Sequence, residues 1–413
     1  MARRFPSRLL ADLAERHATP LWVYDAATIR QRISELRRFD SIRFAQKACS
    51  NVHVLRLMRR EGVLVDAVSL GEIERALKAG YRSSEDDAGI VFTADVIDRP
   101  TLAKVIDHRI PVNAGSIDML DQLGASAPGH PVWLRINPGF GHGHSNKTNT
   151  GGEHSKHGIW HADLARALAR VRAHRLQLVG VHMHIGSGVD YEHLAQVCEA
   201  MVELVVRMDH DIQAVSAGGG LSIPYQPTQP RVDTEHYFTL WDAARRRIEA
   251  HLKHAVTLEV EPGRFLVAES GVLVSEVLAV KDMGANHFAL VDAGFNDLMR
   301  PALYGSHHGM SLISRTDSVP GDRPLRSTVV AGPLCESGDV FTQHEGGVVS
   351  SRRLPSPRVG DLLVFHDTGA YGASMSSNYN SRPLIAEILV DGSHARRIRR
   401  RQTMQELLQL EDD

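Results

Sequence analysis

Short apolar or β-branched runs alternate with amphipathic stretches through the first 265 residues. The runs lie at 42–48 (IRFAQKA), 63–68 (VLVDAV), 90–94 (IVFTA), 110–114 (IPVNA), 132–137 (VWLRIN), 178–185 (LVGVHMHI), 213–217 (QAVSA) and 256–261 (VTLEVE). Between most of them, stretches such as GEIERALKAGY, ADLARALARVRAHR and HLAQVCEAMVELVVRM repeat apolar residues at spacings of three and four, as a helix with one buried face requires. Eight strands with intervening helices predict a (β/α)8 TIM barrel; a doubly wound sheet is the other fold with such a count. Past residue 265 the pattern changes. GVLVSEVLAV, HFALVDAGF, STVVAGPL, DLLVFHDTG and PLIAEILV are strand-like, with turn-rich stretches and hardly any helix between them. The expected organisation is a barrel over 26–265 and an all-β domain, a β-barrel or sandwich, over 266–413. The early strand PLWVYD, within 1–25, would join the β domain. The longest irregular stretch in the barrel half is 138–158, a length that loops reach mostly for function or when disordered.

Composition narrows the class. With 413 residues, 43% of them hydrophobic, the chain can bury a large core in two domains. A net charge of -2 offers neither a basic surface for nucleic acid nor an acidic tail. Cys49, Cys198 and Cys335 form a sparse, odd set without a CxxC, which fits reduced thiols in a cytoplasmic protein. MARRFPSRLLADLAERH lacks the apolar core of a signal peptide, and no run approaches the roughly 18 apolar residues of a membrane span.

The unusual residues fall at strand ends, where barrels of this kind place their active sites. Lys47 closes the first run among small and apolar neighbours, where an ammonium would be costly to bury. Asp66 and Ser69 follow on the second, His184-Ile185-Gly186-Ser187 on the sixth, Gly218-Gly219-Gly220 on the seventh and Glu261-Pro262-Gly263-Arg264 on the eighth. Three successive glycines let backbone N–H groups approach an anion closely, and Arg264 could add charge. A lysine, a histidine, a buried carboxylate and a phosphate cradle together suit a phosphorylated aldehyde cofactor held on lysine as a Schiff base, so Lys47 is expected to be buried and uncharged. Each residue also has a plainer reading. Lys47 could form a structural ion pair, the glycines a tight turn, Glu261 a pair with Arg264, and Cys335 a small buried hydrophobe. His182 and His184 form an H-x-H pair that would put both rings on one strand face, the arrangement of a metal-dependent barrel hydrolase.

Taken together, the motifs FAQKACSN, VDAVSLGEIERAL, GVHMHIGSG, SAGGGL, EPGRFLV, DAGFNDLMRPALYG, GPLCESGDVF and DTGAYGASMSSNYNSRP resemble those of the PLP-dependent decarboxylases with an alanine-racemase-like barrel. CESGD with RPALYG is similar to the diaminopimelate-specific branch rather than to ornithine or arginine decarboxylases. Gln46 and Cys49 depart from the usual A-V-K-A-N, and Lys156-His157-Gly158 from K-F-G. The resemblance implies pyridoxal 5'-phosphate as cofactor and meso-diaminopimelate as substrate, decarboxylated to L-lysine in the last step of lysine biosynthesis. By position it implies Lys47 as the Schiff-base lysine, His184 stacked on the pyridine ring, and Glu261 at the pyridine nitrogen. Ser187, Gly218, Gly219, Gly220, Gly263, Arg264 and Tyr371 would serve the phosphate, and Arg264, Arg300, Tyr304, Glu336 and Tyr371 the substrate. Cys335 would be the proton donor, reaching with Glu336 into the other subunit of a homodimer. Decarboxylases of ornithine, arginine or a carboxylated polyamine precursor are the nearest alternatives.

Overall fold

A computed structural model describes residues 5–84, 88–141, 151–184, 186, 190–315 and 322–412. They form two units, one of residues 30–222 with 231–266, the other of 1–29, 223–230 and 267–413.

The chain opens with α1 (Ser7–His17), β1 (Leu21–Asp25) and α2 (Ala26–Ser34), then enters the barrel. Its strands are β2 (Ser41–Ala45), β3 (Leu64–Ala67), β4 (Ile90–Ala94), β5 (Val112–Ala114), β6 (Pro131–Asn137), β8 (Gln177–His182), β9 (Ala214–Ser216) and β10 (Thr257–Val260), with the short β7 (Ile159–Trp160) hung on β6. Every neighbouring pair is parallel, and pairing of β5 with β6 closes the ring. A closed parallel barrel covered by helices buries both strand faces, so the strands read as near-continuous apolar runs. All seven residues of β6 are buried, for example. The helices between strands are α3 (Val52–Arg60), α4 (Leu70–Ala79), α5 (Arg99–Asp107), α6 (Ile117–Ser126), α7 (Leu164–Ala173), α8 (Tyr191–Arg207) and α9 (Thr234–Leu252). Most begin on a short polar side chain that accepts a free N–H of the first turn: Asn51 for α3, Ser69 for α4, Asp98 for α5, Ser116 for α6, Asp190 for α8 and Asp233 for α9. Ser69, singled out above for its place after the second run, is thereby engaged as a helix cap.

After α10 (Arg264–Val267), the other unit is a mixed sheet of β11 (Gly271–Met283), β12 (Asn286–Val291), β13 (Met310–Ile313), β14 (Leu325–Ala331), β15 (Arg352–Pro355), β16 (Leu362–Phe365), β17 (Ala386–Asp391) and β18 (His394–Arg399), with the short helices α11 (Arg300–Tyr304) and α12 (Met404–Leu408). The N-terminal β1 lies between β11, antiparallel, and β17, parallel. Leu10, Leu13 and Ala14 of α1 pack on Val23, Val272, Val274, Val364 and Ile388 to form its core.

Candidate active site

The C-terminal ends of the barrel strands carry the chemistry-bearing residues. β2 stops at Ala45, whose N–H donates to Pro262 O at 3.2 Å, and a 3-10 turn follows over Gln46–Ala48. This turn corrects the expectation for Lys47. The strand does not include it, and its side chain is exposed; Gln46 and Ala48 take the buried places. Gln46 Nε2 donates to Glu72 O at 3.1 Å, so the residue that departs from the usual motif ties the lysine turn to α4. The Lys47 charge acts on Asp66, Glu72 and His184, groups at or just past the ends of neighbouring strands.

Beneath it lie two buried carboxyls with opposite fates. Glu261 follows β10 and accepts from His182 Nε2 at 2.8 Å and from Ser216 Oγ at 3.0 Å. Burial alone would push its carboxyl up. His182, Ser216 and the charge of Arg43 outweigh that and hold it at about 2. Asp66, on β3, is less well compensated: burial and the charge of Glu261 push it up to about 8, against the pull of Lys47 and of a hydrogen bond with Thr93. Two neighbouring carboxyls whose surroundings drive their proton affinities in opposite directions are a division typical of acid–base sites. Arg43 is itself fixed by a buried bidentate pair with Glu259, Nη2–Oε1 2.9 Å and Nε–Oε2 3.0 Å. Glu261 is therefore partnered by His182 and Ser216.

β8 ends at His182, so the H-x-H residues do not share one strand. His182 faces Glu261, and His184 lies beyond the strand, where its Nδ1 accepts the Gly219 N–H at 3.2 Å. An Nδ1 that accepts leaves the proton on Nε2. Burial, with the charges of Arg135, Lys47 and His182, holds this imidazole well below its usual range and thus neutral. Among the described residues no three His, Cys, Asp or Glu side chains converge as metal ligands.

The glycine run has a geometry only glycine permits. Gly218 has φ +60°, and a Cβ there would meet Met183 O at 2.5 Å; a Cβ on Gly219 would meet Glu261 O at 2.6 Å; Gly220, at φ +99°, would meet Gly186 O at 2.5 Å. Beside it opens a small cleft bordered by His184, Gly186, Gly219, His193, Tyr237 and Trp241. Gly263 packs against Ala45, where a Cβ would lie 3.2 Å from its carbonyl, and Arg264 starts α10 half-buried. A side-chain-free cradle, a neighbouring arginine, a reachable lysine and a buried ionised carboxylate fit a pyridine-ring phosphate cofactor. Ser187 lies outside the described residues, as do His142 and His144 of the long loop.

The remaining candidates stand on the sheet unit. Arg300 opens α11 and is 5% exposed; Tyr304 ends that helix and is half-buried. Cys335 is exposed rather than buried as a small hydrophobe, and Glu336 beside it accepts from Tyr379 OH at 3.3 Å. Asp339, which the pattern alone did not flag, shapes their loop: its carboxylate accepts the Phe295 N–H at 2.7 Å and the Leu334 N–H at 2.8 Å. Asn380 Oδ1 takes the Cys335 N–H at 2.9 Å, so the turn is pinned from behind while the thiol stays outside. Tyr371 is half-buried at φ +57°, a left-handed conformation that costs a tyrosine energy. Asp95, just past β4, also escaped the pattern. It accepts the Gly158 N–H at 2.8 Å and pairs with His157 Nδ1 at 2.6 Å, so the histidine of the unusual K-H-G anchors the end of the long loop. Its only signal was an acidic residue at a strand end.

This fold and this strand-end chemistry define a pyridoxal-dependent barrel enzyme, and residues 26–268 match the family model described as pyridoxal-dependent decarboxylase, pyridoxal binding domain. Over 399 residues the chain is 67% identical to a diaminopimelate decarboxylase of Streptomyces coelicolor, covering 97% of this chain and 90% of that one. It is 65% identical to the Escherichia coli diaminopimelate decarboxylase over 402 residues, 97% of this chain and 96% of the other. A crystal structure of a diaminopimelate decarboxylase superimposes with a TM-score of 0.96 at 64% identity, covering 98% and 96% of the two chains. The chain belongs to the diaminopimelate decarboxylase family, and its cofactor is pyridoxal 5'-phosphate.

Proposed function

We propose that this chain removes the carboxylate at the D-centre of meso-diaminopimelate, releasing carbon dioxide and L-lysine, with Lys47 holding the cofactor. The observation that carries the mechanism is Glu261, kept ionised at about 2 by His182 and Ser216 in the barrel interior. Pyridoxal phosphate supplies a sink for the electron pair left on the α-carbon when carbon dioxide departs. The Glu261 carboxylate would hold a proton on the pyridine nitrogen, which that sink requires. The neutral His184, oriented by the Gly219 N–H, offers a flat face without a competing charge. The N–H groups at Gly218–Gly220, with Gly263, Ser187, Arg264 and Tyr371, would bind the phosphate. Lys47 would hold the cofactor's aldehyde carbon through its Nζ until a substrate amine replaces it, and the freed lysine amine would take up the proton that the substrate amine gives up.

Two carboxylates and two amines must be told apart in this substrate. Arg300 suits the distal carboxylate because a guanidinium grips it with two hydrogen bonds; Tyr304 and Tyr371 would complete that contact, and Glu336 would take the distal ammonium. Cys335 would return a proton to the carbon that has lost carbon dioxide. We further propose that the chain works as a cytoplasmic homodimer in which Cys335 and Glu336 serve the partner subunit's barrel. The exposure of both residues on a pinned turn supports this. Among the described residues no helix is long and apolar enough to cross a membrane.

Two outcomes are expected here. Purified protein should be yellow, and borohydride should bleach it and fix the cofactor on the tryptic peptide that contains Lys47. A colourless protein, or label on another lysine, would contradict the assignment. Arg300→Ala should lose on the order of 2–5 kcal/mol in kcat/KM for diaminopimelate, the range for unpairing a buried charge. An unchanged specificity constant would remove Arg300 from substrate recognition.

A further inference from the structure

Arg300 is held in a way that neither its helix nor its assigned role requires. Its Nε lies 3.4 Å from His308 Nε2, and its Nη2 donates to Ser306 Oγ at 3.1 Å. The other nitrogen of His308, Nδ1, lies 2.9 Å from the carbonyl oxygen of His366. A carbonyl only accepts, so Nδ1 carries the ring proton and Nε2 presents a lone pair to the Arg300 N–H. The carbonyl is rigidly placed. His308 lies two residues before β13 and His366 directly follows β16; these strands pair antiparallel from Met310↔Phe365, and the His366 N–H donates to Gly309 O at 2.8 Å. The His366 ring is fixed in turn, with Nε2 2.8 Å from Ser311 Oγ.

Tyr225 completes the arrangement. It belongs to 223–230, a segment that leaves the barrel sequence to join the sheet unit. Its ring meets the His308 ring edge-on, with centroids 5.3 Å apart and planes at 80°, and lies 5.2 Å from the Arg300 Cζ. His307 Nδ1 contacts the Tyr225 carbonyl at 3.1 Å, which fixes that segment to the same turn. His308 is 3% exposed and Arg300 5%, so both sit where a misaligned guanidinium could not be corrected by water.

We propose that His308 and Tyr225 are positioning residues for Arg300: His308 engages the guanidinium edge at Nε, Tyr225 supports its face, and together they aim its terminal nitrogens at a distal carboxylate, so that they set the preference for a substrate bearing one. This rests on the reading of Arg300 as the distal-carboxylate contact. A bidentate grip tolerates little rotation, so orientation is where second-layer contacts exert their effect.

The test is steady-state kinetics of the holoenzyme on meso-diaminopimelate for R300A, H308L, H308Q, Y225L and the double variant R300A/H308L. H308L should raise KM about tenfold with kcat within about twofold, the size of a lost hydrogen bond to a charged group. H308Q, whose side-chain oxygen can stand in for the Nε2 lone pair, should recover most of the loss, and Y225L should raise KM in the same direction. In the R300A background H308L should add less than about twofold, because a residue acting through Arg300 has nothing left to act on. A structural defect would persist in that background and lower kcat as well. Full additivity, or H308Q as impaired as H308L, overturns the proposal while leaving the role of Arg300 intact. If R300A itself leaves KM unchanged, the reading of Arg300 fails and this proposal with it. If H308L does not fold, the same comparison is made with Y225L and R300A/Y225L.

Discussion

Glu261→Gln is expected to keep the cofactor bound and to slow decarboxylation by roughly 10²–10³-fold, the range for removing one preorganised electrostatic contact. The phosphate contacts proposed for Gly218–Gly220 and Arg264 do not involve the Glu261 side chain, so affinity should survive. What is lost is the charge. A glutamine fills the same space between His182 and Ser216, 2.8 and 3.0 Å from the present oxygens, but cannot hold a proton on the ring nitrogen. Cofactor content read from the absorption spectrum, set beside kcat, separates the two effects. Near-normal turnover in this variant would take Glu261 out of the mechanism. Loss of cofactor instead would make it a structural support.

The second large effect is restoration rather than loss. Lys47→Ala and Cys335→Ala should each be inactive alone. If Cys335 and Glu336 serve the partner's barrel, a mixed dimer gathers both lesions in one site and neither in the other. Random exchange makes about half the dimers mixed, so about a quarter of all sites should be intact, from two-fold statistics. Activity near that fraction of wild type is the expected result. No recovery, with exchange verified by mass-tagged subunits, would mean that both residues act within one chain.

The barrel was legible because its signal is repetitive: eight apolar runs, each buried on both faces, separated by stretches of helical period. The glycine cradle was legible because three glycines in a row have few uses at a strand end. Lys47 is exposed rather than buried for a physical reason. Apolar neighbours suggested a continuing strand, but Ala45 hands its N–H to Pro262 O, and the chain then winds into a 3-10 turn that inverts which residues are buried. Periodicity does not register such a long-range bond. His182 is a similar case: H-x-H reads as a pair, and only the approach of β10 to β9 and β8 shows that one ring belongs to Glu261 and the other to Gly219. The short β13, β15 and β18 carry charged or mixed residues, Arg352 and Arg353 or Arg396 and Arg397, because edges and exposed faces of a sheet need not be apolar. Tyr225 and His308 lie 83 positions apart in the chain, counted from their residue numbers, and only folding makes them neighbours.

The central claim is that this chain makes L-lysine from meso-diaminopimelate. It is tested most directly by incubating the purified protein with pyridoxal phosphate and, separately, meso-diaminopimelate, ornithine, arginine and L-lysine, and measuring carbon dioxide and amine products. Carbon dioxide and L-lysine are expected in equal amounts from meso-diaminopimelate, with little release from the other three. Carbon dioxide from ornithine or arginine with none from meso-diaminopimelate would contradict it.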